Sequence, residues 1–133
     1  MYYLGIDIGK NNHEAGLIRD DGSHVGKSFR FTNTKEGFDM LLYFLEQHLP
    51  ENESFCIGME ATGHYWLALY SFLRAQGFVL HIVNPIQSDS LRNFHIRQHK
   101  TDSVDCFLVA EVIRFGKFSE THLADEDILV LRN

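Results

Sequence analysis

The order of its secondary-structure patterns constrains this 133-residue chain more than any other feature. Three short strand patterns come first, at residues 2–8, 13–19 and 24–32, with turn residues between them. Helix and strand patterns then alternate: a helix that ends before Pro50, a strand at 55–60, a helix at 65–76, a strand at 78–83 and a helix at about 101–115. This order predicts an α/β fold, with a mixed five-stranded sheet whose first three strands are antiparallel and whose faces carry helices.

Two local sequence signals mark the ends of helices. Asn33 followed by Glu36 resembles a capping box, in which a short polar side chain covers free backbone N–H groups and the later acid reciprocates. Gly77 stands where a helix that started near Tyr65 needs a C-terminal cap. These signals predict a first helix that begins behind Asn33 and a second helix that ends at Gly77.

Length and charge limit the class of protein. A chain of 133 residues can form one compact domain with a real core, and it is too short for two. Its 12 Lys and Arg against 18 Asp and Glu give a net charge of −6. That balance argues against a strong free-standing DNA binder, because basic side chains must neutralise the phosphates. Metal ions bound by the acids would reverse the local field and weaken this objection.

The apolar segments and the cysteines bear on the compartment. No apolar run is long enough to cross a bilayer, and the opening residues lack the pattern of a secretory signal. Cys56 and Cys106 lie far apart in apolar contexts and match no zinc spacing. We therefore expect a cytoplasmic protein with no membrane partner and with two reduced core cysteines.

Asp7 is the first candidate site residue. It interrupts the apolar first strand, within GIDIGK, where an ionised carboxylate is costly unless a partner charge or a metal compensates it. The alternative is a strand-end Asp that accepts hydrogen bonds in the turn at Gly9. On this residue alone both interpretations are open.

Glu60 is the second candidate. It ends the apolar run FCIGME and precedes Ala61-Thr62-Gly63, a turn of small residues where a ligand could approach closely. Glu is disfavoured in strands and is rarely buried without a partner. The alternative is an acid in the first turn of the next helix, favoured there by the helix dipole.

Asp102 and Asp105, within KTDSVD, are the third signal. Residues three apart share one face of a helix, and that face also carries Cys106, Val109 and Ile113. These apolar neighbours predict that this face is the buried side of the helix, with the two acids at its N-terminal end. The alternative is that Thr101 or Asp102 caps the helix and that Asp105 is an ordinary first-turn acid.

The combination of these acids suggests a metal site. Carboxylates brought close together repel each other unless they are protonated or bridged by cations. Oxygen-rich sites suit Mg²⁺ or Mn²⁺, and two such ions about 3.5–4 Å apart can serve phosphodiester cleavage. Acids on two neighbouring strands and one helix, all at one sheet edge, would build such a site. The segment order is compatible with this convergence but does not require it.

The same motifs resemble a known family. GIDIGK, GMEATGHYW, Val83-Asn84-Pro85 and KTDSVD are similar to the N-terminal domain of the Piv/MooV-type DEDD transposases, which are insertion-sequence recombinases with a RuvC-like, RNase H-like fold. The similarity covers roughly residues 3–118 in consistent order. KTDSVD behind the Asn-Pro strand end is its most specific part, whereas GIDIGK alone is weak.

This resemblance implies a catalytic and metal-binding tetrad of Asp7, Glu60, Asp102 and Asp105 that uses Mg²⁺ (or Mn²⁺) for DNA recombination. It also implies a structured guide RNA as a partner and a homo-oligomer in the full-length protein. Residues 1–118 would be the RuvC-like domain, and residues 119–133 would start a truncated helical segment. Family members continue into a second domain with a serine nucleophile, so we expect this chain to be incomplete for full recombination.

Basic residues near these motifs are candidates for nucleic-acid contact. Lys10 follows the first strand, Arg92 and Arg97 lie in a polar stretch after Pro85, and Lys100 directly precedes the acidic helix. As a cluster beside the acids they could bind phosphates. The alternative for each of them alone is solvated surface charge.

Four functions are compatible with these features. The first is the catalytic-carboxylate domain of a transposase, and the second is a RuvC-like or RNase H-like nuclease that cuts by itself. The third is a fragment of a sugar-kinase or actin-type ATPase, for which 133 residues leave no room for the phosphate loops and second lobe. The fourth is a non-catalytic module for RNA binding or dimerisation, which the net charge and the missing serine nucleophile leave open and which the acid pair disfavours.

Overall fold

The computed structural model describes residues 1–61, 63–83 and 104–116, with the backbone alone for residues 104 and 105. Its elements follow the predicted order of strands and helices. They are β1 (Tyr2–Asp7), β2 (Asn12–Arg19), β3 (Phe29–Thr32), α1 (Lys35–His48), β4 (Phe55–Glu60), α2 (Leu67–Ala75), β5 (Leu80–Val83) and α3 (Val104–Arg114).

The strands form one sheet in the order β3-β2-β1-β4-β5. β1 pairs antiparallel with β2, and β2 pairs antiparallel with β3, so the first three strands are a meander. β4 runs parallel to β1, and β5 runs parallel to β4. The predicted fold class is therefore confirmed: a mixed five-stranded α/β sheet whose first three strands are antiparallel.

One face of the sheet, called here the α1/α2 face, carries large apolar side chains. Alternate strand residues meet the apolar stripes of α1 and α2 in one buried cluster, because successive strand side chains point to opposite faces. Its aliphatic members include Leu4, Ile6, Leu17, Ile57 and Met59 from the strands and Leu41, Leu45, Leu69 and Leu73 from the helices. Burying each such side chain contributes about 1.5–3 kcal/mol, which makes this cluster the main source of stability.

The opposite face, called here the α3 face, is built around glycine. Gly5 on β1 is in register with Gly16 on β2 and with Gly58 on β4. A Cβ at Gly5 would lie 2.9 Å from the Cα of Ala110, closer than real Cβ atoms come. Helix α3 therefore rests on the backbone of β1, and a row of missing side chains makes this approach possible.

Helix α3 also packs in a small apolar cluster toward β5. Val109, Val112 and Ile113 pack with Val83 of β5, and Tyr3 and Cys56 border them. Cys106 is also fully buried. The apolar side predicted for this helix is thus confirmed, because all of its predicted apolar positions are buried.

The first helix begins one residue later than predicted. Its N-cap is Thr34, whose side-chain oxygen accepts a hydrogen bond from the Gly37 N–H at 3.1 Å. Asn33 was predicted as the cap, and that prediction is wrong because its side chain donates instead to the Lys10 carbonyl at 3.2 Å. A hydrogen bond to a residue distant in sequence thus engages the Asn33 side chain, which the local sequence pattern had assigned to the helix cap.

The other boundaries show one agreement and two differences. Gly77 has a φ of +92°, and the Phe78 N–H reaches the Leu73 carbonyl at 3.2 Å, so α2 ends in the expected glycine cap. The helix itself starts at Leu67 instead of near residue 65. β3 covers Phe29–Thr32 instead of 24–32, since only a single bridge joins His24 to Ile18 ahead of it.

Both cysteines are free, Cys106 buried and Cys56 partly buried, as predicted. Among the described residues, no helix is both long and apolar enough to span a membrane.

Candidate active site

Asp7 and Glu60 end two neighbouring parallel strands. Ile6 of β1 is in register with Met59 of β4, and the next residue on each strand is the acid. Since neighbouring strands are about 4.8 Å apart, the two backbones bring the carboxylates side by side. Both acids share the α3 face, because each lies two residues beyond a glycine of that face, Gly5 or Gly58. Both are partly buried and have bonding partners within the fold.

Helix α3 reaches the same place through Cys106. Burial raises the pKa of the Cys106 thiol to about 12, and the negative charges of Glu14 and Asp7 add to the shift. An electrostatic effect of this kind requires that the thiol lie near both carboxylates. Asp105 directly precedes Cys106 in the chain, so its backbone belongs to the part of α3 that passes Asp7.

Glu14 is an acid of this region that sequence reasoning missed. It is in register with Asp7 across the β1–β2 pair and lies on the same face. One of its oxygens accepts a hydrogen bond from the Ser28 hydroxyl, and the other lies 3.7 Å from Nε of Arg30. The sequence signal was an acid within an otherwise half-apolar strand, but only the register shows that it faces Asp7.

The loop behind Asp7 is held by buried polar groups. Nδ1 of His13 accepts a hydrogen bond from the Gly9 N–H at 3.1 Å, so the neutral ring carries its proton on Nε2. Within the described residues, Nε2 of His13 and Oδ1 of Asn33 are both buried and neither has a hydrogen-bond partner. Burial lowers the pKa of His13, and the Asn33 side chain partly opposes that shift.

Lys10 is the predicted phosphate contact that the structure describes. Its side chain is exposed, three residues beyond Asp7. Its carbonyl accepts from the Asn33 amide, and the Asn33 N–H donates to the Asn11 carbonyl at 2.8 Å. The backbone that carries Lys10 is therefore tied to the start of α1.

The other predicted site residues lie outside the described part of the chain. These are Asp102, the side chain of Asp105, and the basic residues Arg92, Arg97 and Lys100. Within residues 1–61, 63–83 and 106–116, no three His, Cys, Asp or Glu side chains are grouped closely enough to hold a metal ion. The described site thus consists of two adjacent carboxylates, Asp7 and Glu60, beside a helix that carries a third acid.

The turn after Glu60 contributes aromatic side chains. Gly63 has a φ of +64°, and its carbonyl accepts a hydrogen bond from Nε1 of Trp66 at 3.0 Å. The exposed His64 ring lies 4.3 Å from the ring of Tyr65. This bond and the burial of Trp66 fix the chain direction between Glu60 and α2.

Solved structures share this fold at low sequence identity. T. thermophilus RuvC in complex with a Holliday junction substrate has a TM-score of 0.59 and 12% identity, over 88% of this chain and 97% of that one. A second Thermus thermophilus RuvC structure has a TM-score of 0.55 and 13% identity, over 88% and 98%. The sheet and its helices therefore form an RNase H-like, RuvC-like α/β domain.

Sequence comparison identifies the family. A model of transposases, the IS110-type DEDD transposases, matches residues 4–133. Pilin gene-inverting proteins of Moraxella bovis and Moraxella lacunata are each 31% identical over 114 residues, which is 86% of this chain and 34% of each relative. The chain belongs to the IS110-type DEDD transposase family, and it spans about a third of the length of the curated relatives that it matches.

Proposed function

We propose that this domain is the carboxylate centre of a DNA transposase or recombinase. Asp7, Glu60, Asp102 and Asp105 would bind Mg²⁺ (or Mn²⁺) and act on the phosphodiesters of DNA. The observation that carries this proposal is the adjacency of Asp7 and Glu60 at two parallel strand ends, on the face that α3 covers. Family membership supports it independently.

The donor set suits a hard divalent cation. Carboxylate oxygens are preferred ligands of Mg²⁺, and two of them stand on neighbouring strands here. The charges of Asp7 and Glu14 also raise the pKa of the Cys106 thiol, so negative charge is concentrated at this place. A cation would relieve that repulsion. When bound, such an ion supplies Lewis-acid stabilisation of charge on phosphate oxygens.

The residues of the chain would have separate tasks. The strand ends of β1 and β4 would hold two carboxylates in fixed positions, and the N-terminal part of α3 would bring Asp105, with Asp102 ahead of it. Lys10 would contact a phosphate beside the acids, and Arg92, Arg97 and Lys100 would add further contacts. This division supports phosphate binding by a chain of net charge −6.

The complete reaction would need more than this chain. Each relative is about three times as long as the matched segment, since those 114 residues make up 34% of it. By family resemblance, the rest of such a protein would supply a serine nucleophile and further nucleic-acid contacts. The same resemblance brings a structured guide RNA and a homo-oligomer into the proposal.

Calorimetric titration with Mn²⁺ or Mg²⁺ tests the metal site. We expect saturable binding to the 133-residue chain, and we expect Asp7→Asn and Glu60→Gln each to weaken it at least about tenfold, since each removes a charged ligand. Asp105→Asn and Asp102→Asn should weaken it as well. Asp39→Asn is the matched control, because Asp39 is an exposed acid on α1, paired with Lys35. Circular dichroism melts verify that each variant folds.

Two outcomes of the titration would contradict the metal site. Binding that Asp7→Asn and Asp39→Asn reduce equally would be a general charge effect and would exclude this site. If the unaltered chain binds no metal, the titration is repeated with DNA and with RNA present. Continued absence of binding, together with metal-independent RNA binding, would identify a non-catalytic module instead.

A second candidate function is cleavage of branched DNA by this domain alone. It is favoured by the fold match to nearly the whole RuvC chain, which was solved with a Holliday junction substrate. Incubating the 133-residue chain with a four-way junction and Mn²⁺ tests it. Cleavage of the junction that Asp7→Asn abolishes would support the stand-alone nuclease. If the chain binds the junction but does not cut it, the stand-alone nuclease is excluded and the transposase-domain proposal stands.

A further inference from the structure

Arg30 stands in one cross-strand row with the acids of the site. Asp7 of β1 is in register with Glu14 of β2, and Glu14 is in register with Arg30 of β3. Residues in register share a face of the sheet, so all three side chains start from the α3 face. With strands about 4.8 Å apart, the Cα atoms of Asp7 and Arg30 are separated by roughly 10 Å.

Glu14 anchors the arginine. Its Oε1 lies 3.7 Å from Nε of Arg30, and its Oε2 accepts the hydrogen bond from Ser28. The Glu14 side chain is 16% exposed, whereas that of Arg30 is 68% exposed. A half-buried carboxylate that is fixed by a hydroxyl therefore holds one end of an exposed guanidinium.

Most of the binding capacity of Arg30 is unused within the fold. A guanidinium has five N–H donors in a planar fork, and among the described residues its one ion pair or hydrogen bond is the contact with Glu14. A single contact at 3.7 Å to a largely exposed arginine adds little to stability. The same planar fork matches the geometry of a phosphate, which it can bind through two parallel hydrogen bonds.

A second cation stands on the same flank of the acids. Lys10 is exposed in the loop behind Asp7, and its backbone is tied to Asn33, directly after β3. The acids Glu60 and Asp7 thus lie on β4 and β1, and the cations Lys10 and Arg30 lie toward β3. The side-chain charge is therefore negative at the ends of β4 and β1, where a cation could bind, and positive toward β3, where an anion could bind.

We propose that Arg30, oriented by Glu14, binds a phosphate of the DNA strand on which the carboxylate centre acts. This inference rests on the proposed function and adds the path of the substrate, which crosses the sheet from Asp7 over β2 to β3. The span of roughly 10 Å between the two Cα atoms is short enough for both residues to reach phosphates of one strand. Arg30 would thus hold the strand near the reacting phosphodiester.

Fluorescence anisotropy with labelled DNA at several salt concentrations tests the proposal on the 133-residue chain. Arg30→Gln should weaken DNA binding about tenfold at low salt and reduce the salt slope by about one, because one phosphate contact is lost. Lys35→Gln is the matched control, since Lys35 is an exposed cation on α1, and it should change neither quantity. Arg30→Lys should keep the slope and recover part of the affinity.

Glu14→Gln separates orientation from charge. It keeps a partner for Ser28 but loses the ion pair, so affinity should fall about threefold while the salt slope stays unchanged. Equal or tighter binding would overturn the positioning role of Glu14, because removing a negative charge alone would favour DNA.

The results also separate this inference from the proposed function. Arg30→Gln should leave the metal affinity of the chain within about twofold, as Arg30 is not a ligand. If Arg30→Gln behaves like Lys35→Gln while Asp7→Asn still abolishes metal binding, the path toward β3 is wrong and the metal site stands. Loss of RNA binding without loss of DNA binding would overturn the DNA assignment. If the unaltered chain shows no saturable DNA binding while Asp7→Asn still weakens its metal binding, the phosphate contact of Arg30 is wrong and the metal site stands.

Discussion

The two faces of the sheet hold their helices in opposite ways. On the α1/α2 face, large side chains such as Leu4 and Met59 fill the space between strands and helices. On the α3 face, glycines remove that space, and α3 lies against the backbone of β1. The first arrangement buries much apolar area, while the second fixes the position of one helix relative to one strand within a narrow tolerance.

This difference explains where the acids lie. A carboxylate in the apolar layer of the α1/α2 face would be costly to bury. On the α3 face, the close approach of the helix brings its N-terminal part beside Asp7, and the strand ends leave Asp7 and Glu60 partly exposed. The α1/α2 face therefore stabilises the domain, and the α3 face would set the geometry of the proposed carboxylate centre.

Gly5→Ala should have the largest effect, because its new Cβ meets the backbone of α3, which cannot rotate away. We expect a loss of at least about 3 kcal/mol in the free energy of unfolding, measured by urea denaturation. Gly16→Ala is the matched comparison and should cost less, since its Cβ meets the Phe107 ring at 2.7 Å, a side chain that can shift. Equal, small losses would show that α3 does not rest on the β1 backbone.

Leu69→Ala tests the other face. Leu69 is fully buried between α2 and the sheet, so its truncation should cost about 2–5 kcal/mol. Because the cavity lies away from α3, the protection of the Cys106 thiol against alkylation in the folded state should not change. Alkylation that became fast in folded Leu69→Ala would show that the packing of the two faces is coupled.

The Cys106 thiol reports on the α3 face through pH. Its pKa is raised from 9.0 to about 12 by burial and then by the charges of Glu14 and Asp7. Between these values the unfolded chain loses the proton and the folded chain keeps it, so stability falls as the pH rises through this window. By pH 10 the loss should be about 1.4 kcal/mol relative to neutral pH.

The matching measurement is urea denaturation between pH 8 and 10 in a Cys56→Ala background. Cys106→Ala should flatten the pH dependence in that range. An unchanged slope would mean that the thiol is not shielded by α3 in the folded state.

Thr34→Ala should have the smallest effect, a loss of about 1 kcal/mol, because it removes the side-chain cap of α1. Thermal denaturation followed by circular dichroism measures it, and Thr34→Ser, which keeps the hydroxyl, is the control. A loss in Thr34→Ser as large as in Thr34→Ala would assign the effect to the methyl group instead of the cap.

The sequence predicted the features that depend on periodicity and strand order. Asp7 and Glu60 each ended an apolar run, which marked them as candidates. The segment order left their convergence open, and the pairing of β1 with β4 brings them to neighbouring strands. Gly77 was recognisable because a positive φ favours glycine wherever a helix ends in this way. Periodicity also gave the buried side of α3, with Cys106 and Ile113.

The remaining features depend on contacts between distant residues. The role of Asn33 is set by the Lys10 carbonyl 23 residues earlier, which no local cap pattern contains. Glu14 faces Asp7 only because of the β1–β2 register, and a register shift of one residue would have turned it to the other face. The three glycines of the α3 face looked unrelated in sequence, since their alignment also depends on register.

The proposed metal site at Asp7 and Glu60 can be tested by the anomalous scattering of Mn²⁺ in crystals of the 133-residue chain grown with that ion. We expect a peak within ligand distance, about 2.0–2.3 Å, of carboxylate oxygens of Asp7 and Glu60, on the α3 face beside the N-terminal part of α3. Crystals of Asp7→Asn should lack it. Manganese bound elsewhere, with the Asp7 and Glu60 carboxylates free of metal at saturating concentration, would exclude the proposed carboxylate centre.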